Sequence, residues 1–198
     1  MAARPDRVEG DPDMASSAGA TPMAVDVVLT PMRRRHLRGV LRIEHQVYPR
    51  PWSLGLYMSE LALTPTRVYI VARVGTSVVG YAGLMIVGDE GHITTVAVDP
   101  AWHRRQIATR MLSCLIRQAV AKGVGRLTLE VRMSNVGAQV MYDRFGFAPA
   151  GVRKRYYIDN DEDAMVMWAH EVDTPEHAAR VTSIESTVVG TTSLENLA

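Results

Sequence analysis

The chain has 198 residues, of which 47% are hydrophobic and 22% charged, and its formal net charge is +1. This length fits one domain with short flanking segments, and no apolar run approaches the roughly 20 residues that span a bilayer. The near-zero net charge gives no general attraction for nucleic acid or acidic membranes, so both classes of partner are disfavoured.

The first quarter of the chain predicts a leader, a strand and two helices. Residues 1–24 hold no continuous apolar block, so they are expected to form a disordered leader rather than a secretory signal. Residues 25–29 are a β-branched run, and apolar residues with helical spacing follow over 32–43. The prolines of residues 48–51 must end this helix, and Ser53 begins a second helix that runs through Leu61.

The middle of the chain predicts three strands. Two β-rich runs, 67–74 and 78–87, flank the turn residues Gly75-Thr76-Ser77 and form a hairpin. Residues 88–91 supply the next turn, and 93–98 form the third strand.

An amphipathic helix follows and is expected to end near Gly123. Its buried face consists of Ile107, Met111, Leu112, Leu115, Ile116 and Ala119. Cys114 lies close to this face, so a buried structural thiol is predicted rather than a nucleophile. As the single cysteine of the chain, it forms no internal disulfide and fits a reducing, cytoplasmic compartment.

The last predicted elements are a strand, a helix and an antiparallel pair of strands. Alternation over 127–131 places Glu130 on the face opposite the leucines. Residues 135–145 are predicted to be helical, followed by strands over 147–157 and 164–168. The remaining residues, 171–198, are rich in Thr, Ser and Glu and are expected to form a flexible tail.

The junction after the third central strand has the features of an anion site. The strand ends at Asp99-Pro100, and residues 104–109 lead into the amphipathic helix. Helix starts carry unpaired backbone N–H groups and the positive end of the macrodipole, which together favour a phosphate. Arg104 and Arg105 add positive charge nearby.

Four blocks of the sequence resemble the GCN5-related N-acetyltransferase family, and within it the ribosomal-protein-alanine N-acetyltransferase (RimI-like) branch. In chain order they are YPRPWS (48–53), VAVDPAWHRRQIATRML (96–112), LTLEVRMSN (127–135, followed by Ala138, Tyr142 and Phe145-Gly146-Phe147), and RKRYY (153–157) with the EDA turn. Two positions of the second block differ from the family pattern. His103 replaces a usual Gln or Arg, and Gln106 replaces a usual Gly, while the small residue Ala108 is kept.

The resemblance implies an α/β acetyltransferase domain over residues 25–170, with a mixed central sheet of about seven strands flanked by about four helices. It also implies transfer of the acetyl group of acetyl-CoA to the N-terminal α-amine of a protein, with a ribosomal protein as the first candidate. Three alternatives remain open: a lysine acceptor, a small-amine acceptor, and a non-catalytic acyl-CoA sensor. A monomer and a homodimer are both compatible with the sequence.

The resemblance assigns roles residue by residue. Glu130 is the expected general base and Tyr142 the acid or hydrogen-bond donor to the leaving thiolate, with Glu90 and His92 as the second candidates for the base. The residues expected to bind the donor are Val96, Ala97, Val98, Arg104, Arg105, Gln106, Ile107, Ala108, Thr109, Asn135 and Tyr142. The residues expected to line the peptide groove are Tyr48, Tyr156 and Tyr157.

Residue spacing alone leaves other interpretations open. Glu130 fits a solvated strand carboxylate, and Tyr142 fits a tyrosine at the edge of the core. If the loop needs a positive φ at Gln106, its Cβ costs about 1–2 kcal/mol; otherwise its side chain turns outward and forms a hydrogen bond. No spacing among the six histidines predicts a metal site.

Overall fold

The computed structural model describes residues 24–197. The strands are β1 (Val27–Pro31), β2 (Arg67–Val74), β3 (Ser77–Val87), β4 (Glu90–Val98), β5 (Arg126–Arg132), β6 (Ala148–Tyr157), β7 (Glu162–His170) and β8 (Thr192–Leu194). The helices are α1 (Leu37–Val47), α2 (Leu54–Ala62), α3 (Ile107–Ala121), α4 (Val136–Arg144) and α5 (Pro175–Ser186). The expected leader, apart from Ala24, lies outside the described residues.

All eight strands belong to one mixed sheet with the order β6-β7-β5-β4-β3-β2-β1-β8. β4 pairs with β5 and β1 with β8 in parallel, and the other neighbours are antiparallel. The predicted fold class is confirmed, with one more strand and one more helix than the seven and four expected.

Local signals in the sequence set several helix boundaries. The hydroxyl of Ser53 accepts the N–H of Leu56 at 3.2 Å and caps α2 as predicted. α1 ends at Val47, ahead of the proline-rich loop. α3 ends two residues before Gly123, which adopts the left-handed φ of 82° expected of a helix terminator.

The sheet is covered on both faces because adjacent residues of its strands point to opposite sides. Ile70 faces a core that includes α3 and α5, whereas Val71 faces the core formed with α1 and α2. Cys114 of α3 lies in the first core, where burial raises the pKa of its thiol to about 12. The predicted buried thiol is confirmed.

β4 and β5 separate soon after they begin. Their parallel pairing covers only residues 90–92 of β4 and 126–128 of β5. Beyond that point β4 remains paired with β3, and β5 remains paired with β7. A cleft therefore opens between residues 93–98 and 129–132, with one edge of each strand left without a neighbouring strand.

The C-terminal residues differ from the expected flexible tail. α5 packs on the domain through Val181 and Ile184, and β8 pairs in parallel with residues 27–29 of β1. The helix begins at a Thr174 cap followed by Pro175, a recognised start signal that the polar composition of the segment obscured. Its apolar stripe is narrow, but it buries enough surface to dock the helix.

Candidate active site

Glu130 lies on the polar face of β5, where β4 and β5 begin to separate. Its side chain is only 7% exposed. One carboxylate oxygen is 2.6 Å from Nε2 of His92 on β4, and the other is 3.1 Å from the guanidinium of Arg153 on β6. Strands β4, β5 and β6, of which β5 and β6 are separated by β7, thus place an imidazole, an acid and a cation at one point of the cleft.

These partners keep the carboxyl group of Glu130 ionised. The hydrogen bond from His92 is the main cause that lowers its pKa, and the charge of Arg153 acts in the same direction, while burial opposes both. At neutral pH the side chain is therefore a carboxylate that accepts hydrogen bonds and can accept a proton.

The two sequence-based candidates for the base are in contact with each other. His92 is hydrogen bonded to Glu130, whereas Glu90 pairs with Arg126 at 2.9 Å. If Nε2 of His92 donates to Glu130, its Nδ1 becomes the acceptor nitrogen of the ring.

Tyr142 of α4 is nearly buried, and its ring packs edge-on against Phe147 with centroids 5.8 Å apart. Burial raises the pKa of its phenol, and the nearby phenols of Tyr48 and Tyr157 act in the same direction. Its hydroxyl has no hydrogen-bond partner within residues 24–197. This phenol therefore keeps its proton and is free to donate it in a hydrogen bond.

The other predicted tyrosines lie at the same part of the cleft. The Tyr48 hydroxyl is 3.2 Å from Oγ1 of Thr95 on β4. The rings of Tyr156 and Tyr157 meet at 90° with centroids 5.2 Å apart. Tyr156 is 42% exposed, so its ring is open to an incoming chain.

Arg132 connects β5 to the β6–β7 turn and was not identified from the sequence as a site residue. Its guanidinium forms ion pairs with Asp159 at 2.9 Å and Glu162 at 3.0 Å, and it lies 3.9 Å from the centre of the Tyr157 ring. Its position directly after Glu130 and Val131 in the third block is the signal that could have revealed it.

Glu44 of α1 holds the loop that carries Tyr48, and it too was missed. This buried carboxylate accepts the N–H of Trp52 at 2.9 Å and the hydroxyls of Tyr57 and Tyr81. Burial raises its pKa, and two of these hydrogen bonds, from Trp52 and Tyr57, oppose that shift. An acidic residue within the apolar pattern of α1 was the available sequence signal.

The loop of residues 103–106 gives α3 a start that exposes backbone donors. Gln106 is the N-cap residue, so Ile107, Ala108 and Thr109 form the first turn, whose N–H groups lack intrahelical partners. Both Arg104 (φ 60°) and Gln106 (φ 58°) adopt the left-handed conformation. The family glycine thus corresponds to a positive φ here, which costs a residue with a Cβ about 1–2 kcal/mol.

The side chains of Gln106 and Arg105 contact other parts of the protein. The amide of Gln106 bonds to the main chain of Thr187 and Val189. The guanidinium of Arg105 lies 4.6 Å from the centre of the Trp102 ring.

The backbone N–H groups at the end of β4 point alternately toward β3 and toward the cleft. The N–H of Asp99 donates to Val79 of β3, and alternate residues of a strand point the same way, so the N–H of Ala97 faces β3. The N–H groups of Val96 and Val98 then face the cleft. Of the three residues expected to bind the donor here, Val96 and Val98 direct their N–H groups into the cleft and Ala97 directs its own to β3.

Asn135 has a local role in the structure. Its side-chain oxygen accepts the N–H of Ala138 at 3.2 Å and caps α4. The cap fixes the start of the helix that carries Tyr142. The structure therefore gives Asn135 a place in positioning α4.

In this site two adjacent strands, β4 and β5, separate, and the helix that follows β4 begins with unpaired backbone N–H groups. A comparison with known protein families is consistent with this arrangement. Residues 37–147 match the model of the acetyltransferase (GNAT) family. The chain belongs to this family, whose acetyltransferases use acetyl-CoA as donor.

Individual members of the family with similar sequences or structures include N-acetyltransferases of ribosomal proteins. A Bacillus subtilis (strain 168) protein, provisionally named a ribosomal protein bS18-alanine N-acetyltransferase, is 36% identical over 137 residues, covering 69% of this chain and 91% of its own. The N-alpha-acetyltransferase RimI of Mycobacterium tuberculosis (strain ATCC 25618 / H37Rv) is 39% identical over 121 residues, covering 59% and 74%. The crystal structure of the Escherichia coli ribosomal-protein-S18-alanine N-acetyltransferase superposes with a TM-score of 0.67 at 28% identity, covering 73% of this chain and 94% of that one.

No helix within residues 24–197 is both long and apolar enough to cross a membrane. Over the same residues, no group of three or more His, Cys, Asp or Glu side chains is placed to hold a metal ion.

Proposed function

We propose that the chain transfers the acetyl group of acetyl-CoA to the N-terminal α-amine of a protein in the cytoplasm, with ribosomal protein bS18 as the first candidate. The observation that supports this most directly is the cleft itself. Glu130 lies beside His92 where β4 and β5 separate, the phenol of Tyr142 lies near those of Tyr48 and Tyr157, and the edge of β4 and the start of α3 present backbone N–H groups. The names of the relatives supply the acceptor.

Amine chemistry supports the proposed acceptor class. Only a neutral amine attacks a thioester, and an α-amino group has a pKa of about 7.7–8.0 whereas lysine has one of about 10.4. A terminal amine therefore needs only a modest base near neutral pH. The ionised Glu130 meets this need, acting directly or through one water molecule.

The reaction proceeds by direct attack. The amine nitrogen bonds to the thioester carbonyl carbon, its proton passes to Glu130, and the carbon–sulfur bond breaks to release the thiolate of CoA. Tyr142 donates a hydrogen bond to the departing sulfur. Its raised pKa disfavours full proton transfer, so hydrogen bonding is its main contribution.

Backbone groups supply the remaining contacts. The N–H groups of Val96 and Val98 are candidates to hold the carbonyl oxygen as it becomes negative and to pair with the pantetheine amides. The first-turn N–H groups of α3 bind the diphosphate of CoA, and Arg104 and Arg105 add charge. Residues 103–109 are called the diphosphate loop below.

A second assignment of the base is favoured by one distance. His92 lies 2.6 Å from Glu130, so the imidazole is a candidate proton acceptor that the carboxylate orients. In that arrangement Glu130 stabilises the imidazolium that forms. His92→Gln then lowers kcat as strongly as Glu130→Gln, whereas with Glu130 as the base Glu130→Gln has the larger effect.

A panel of acceptors tests the proposed function. The purified chain is given acetyl-CoA with a peptide that has a free N-terminal alanine, the same peptide with a blocked N-terminus and an internal lysine, and a polyamine. We expect CoA release with the first peptide alone. Preference for lysine or the polyamine contradicts the proposed acceptor, and CoA binding without turnover on any amine favours the acyl-CoA sensor.

A further inference from the structure

Gln106 joins the diphosphate loop to a segment of the chain that lies 81 to 83 residues further on. Its side-chain nitrogen donates to the carbonyl oxygen of Thr187 at 3.2 Å, and its side-chain oxygen accepts the N–H of Val189 at 2.9 Å. Both bonds end on main-chain atoms, so they depend on where this backbone lies. Residues 187–192 are called the C-terminal segment below.

The conformation of Gln106 needs support from outside the loop. Its φ of 58° lies in the left-handed region, which residues with a Cβ rarely adopt. Glutamine also lacks the short side chain that lets asparagine and aspartate bond to their own backbone there. Such a conformation persists only where surrounding contacts fix it, and the two bonds to the C-terminal segment are contacts of this kind.

The C-terminal segment is itself fixed to the domain at points independent of Gln106. The buried guanidinium of Arg110 donates to the carbonyl oxygens of Val189, at 2.5 Å, and Thr191. The carboxylate of Asp26 accepts the N–H and the hydroxyl of Thr191 at 3.2 and 2.7 Å. The segment therefore offers Gln106 a fixed donor and a fixed acceptor.

We propose that Gln106 is a positioning residue through which the C-terminal segment holds the diphosphate loop ready for CoA. The proposal rests on the proposed role of this loop in binding the diphosphate. Gln106 selects the loop conformation through the bonds of its side chain to the C-terminal segment. The C-terminal segment thereby contributes to donor affinity without touching the donor.

Two substitutions in the full chain separate anchoring from backbone preference. Gln106→Ala keeps the Cβ and removes both bonds, whereas Gln106→Gly removes the bonds and also removes the strain. Calorimetric titration with CoA is expected to give a Kd about tenfold higher for Gln106→Ala. For Gln106→Gly we expect a Kd within about twofold of the unmodified chain, because glycine adopts positive φ freely.

Two further readouts identify the effect as positioning. Hydrogen exchange of the Val189 amide is expected to rise in both variants, because both remove its acceptor. At saturating acetyl-CoA, kcat is expected to stay unchanged in both, with the effect confined to KM for acetyl-CoA. Thermal unfolding of each variant checks that it is folded before titration.

A third variant disturbs the C-terminal segment without changing the loop. Gly190 has a φ of 89°, and a Cβ there would lie 2.4 Å from the carbonyl oxygen of Val25. Gly190→Ala therefore displaces the segment. We expect it to raise the Kd for CoA in the chain that retains Gln106, and to leave the Kd unchanged when Gln106→Gly is already present.

Several results overturn the proposal. Equal CoA affinity in Gln106→Ala and the unmodified chain shows that the anchor does not matter, while the proposed function stands. Equal weakening in the alanine and glycine variants means that the glutamine side chain contacts the donor. An effect of Gly190→Ala that is the same in both backgrounds means that the segment acts by another route. Absence of CoA binding by the unmodified chain overturns the proposed function as well.

Discussion

The two sides of the β4–β5 cleft are built from different parts of the polypeptide. The side formed by β5, β7 and β6 presents ionisable and aromatic side chains, among them Glu130, which pairs with Arg153 of β6 and accepts a hydrogen bond from His92 of β4 where the two sides meet. The side formed by β4 and the start of α3 presents main-chain amides, and the Gln106 and Arg105 side chains contact the protein instead. The chemistry available on the first side therefore depends on residue type, whereas that on the second side depends on backbone conformation.

The largest effect is expected on the first side. Glu130→Gln removes the proton acceptor while keeping the shape of the side chain, and kcat should fall about 10²- to 10⁴-fold. KM for acetyl-CoA should change less than about twofold, because in the proposed function the diphosphate is bound by backbone on the other side of the cleft. Steady-state kinetics with the alanine-terminated peptide measure both constants.

Glu90→Gln is the matched control for this substitution. Glu90 lies at the start of β4, and its carboxylate pairs with Arg126 rather than with His92. Its kinetics should equal those of the unmodified chain. A loss comparable to that of Glu130→Gln would contradict the assignment of the base.

Tyr142→Phe should lower kcat by about 10- to 100-fold, which is the effect of removing one hydrogen bond to a charged atom. The ring remains in place against Phe147, so KM for acetyl-CoA should stay the same. A donor thioester whose thiol is more acidic releases its thiolate more easily. Acetyl transfer from such a donor should therefore recover part of the rate lost in Tyr142→Phe. A defect of equal size with both donors would argue against the proposed contact with sulfur.

The charge of Arg153 should affect the pH dependence more than the maximal rate. Because Arg153 helps to lower the pKa of Glu130, Arg153→Gln should move that pKa upward toward its ordinary value. The proposed base must be ionised to accept a proton, so activity lost as the pH falls should be lost at a higher pH in the variant. The rate near pH 8 should change little.

NMR titration of the glutamate carboxyls, with Glu130→Gln to identify the signal, measures this shift directly. A signal that titrates at the same pH in Arg153→Gln and the unmodified chain would contradict the role given to the ion pair.

The smallest effect is expected from the exposed cations of the second side. Replacing either Arg104 or Arg105 with alanine should raise KM for acetyl-CoA by no more than about fivefold, because one surface charge pair contributes about 0.2–1 kcal/mol. The difference should shrink as salt is added. A much larger effect that persists at high salt would place these side chains, rather than the amides, at the centre of diphosphate binding.

The same contrast decides what the sequence could predict. Every strand and helix from β1 to β7 was predicted because its apolar period, its caps and its turn residues agree. Glu130 and Tyr142 were proposed as catalytic residues because they lie within a recognisable block of the sequence, and that assignment remains a prediction. On the side of the cleft that presents functional side chains, the residue types in the sequence are therefore enough to propose site residues.

The features that were missed depend on contacts between distant parts of the chain. The pairing of His92 with Glu130 joins two strands, and the bonds from Gln106 to residues 187–189 join a loop to the C-terminus. The last 28 residues are mostly polar, so their composition predicts mobility. The three buried side chains of α5 are too few to change that composition. Tertiary packing overrides that local preference.

The burial of Cys114 has a practical consequence for experiments on this protein. The chain contains one cysteine, whose thiol is buried and resists ionisation. Maleimides and similar thiol reagents should therefore not modify it in the folded protein. A second cysteine introduced on the surface would then be the single reactive position. Fluorophores or spin labels can accordingly be attached at one chosen site without first removing the native sulfur.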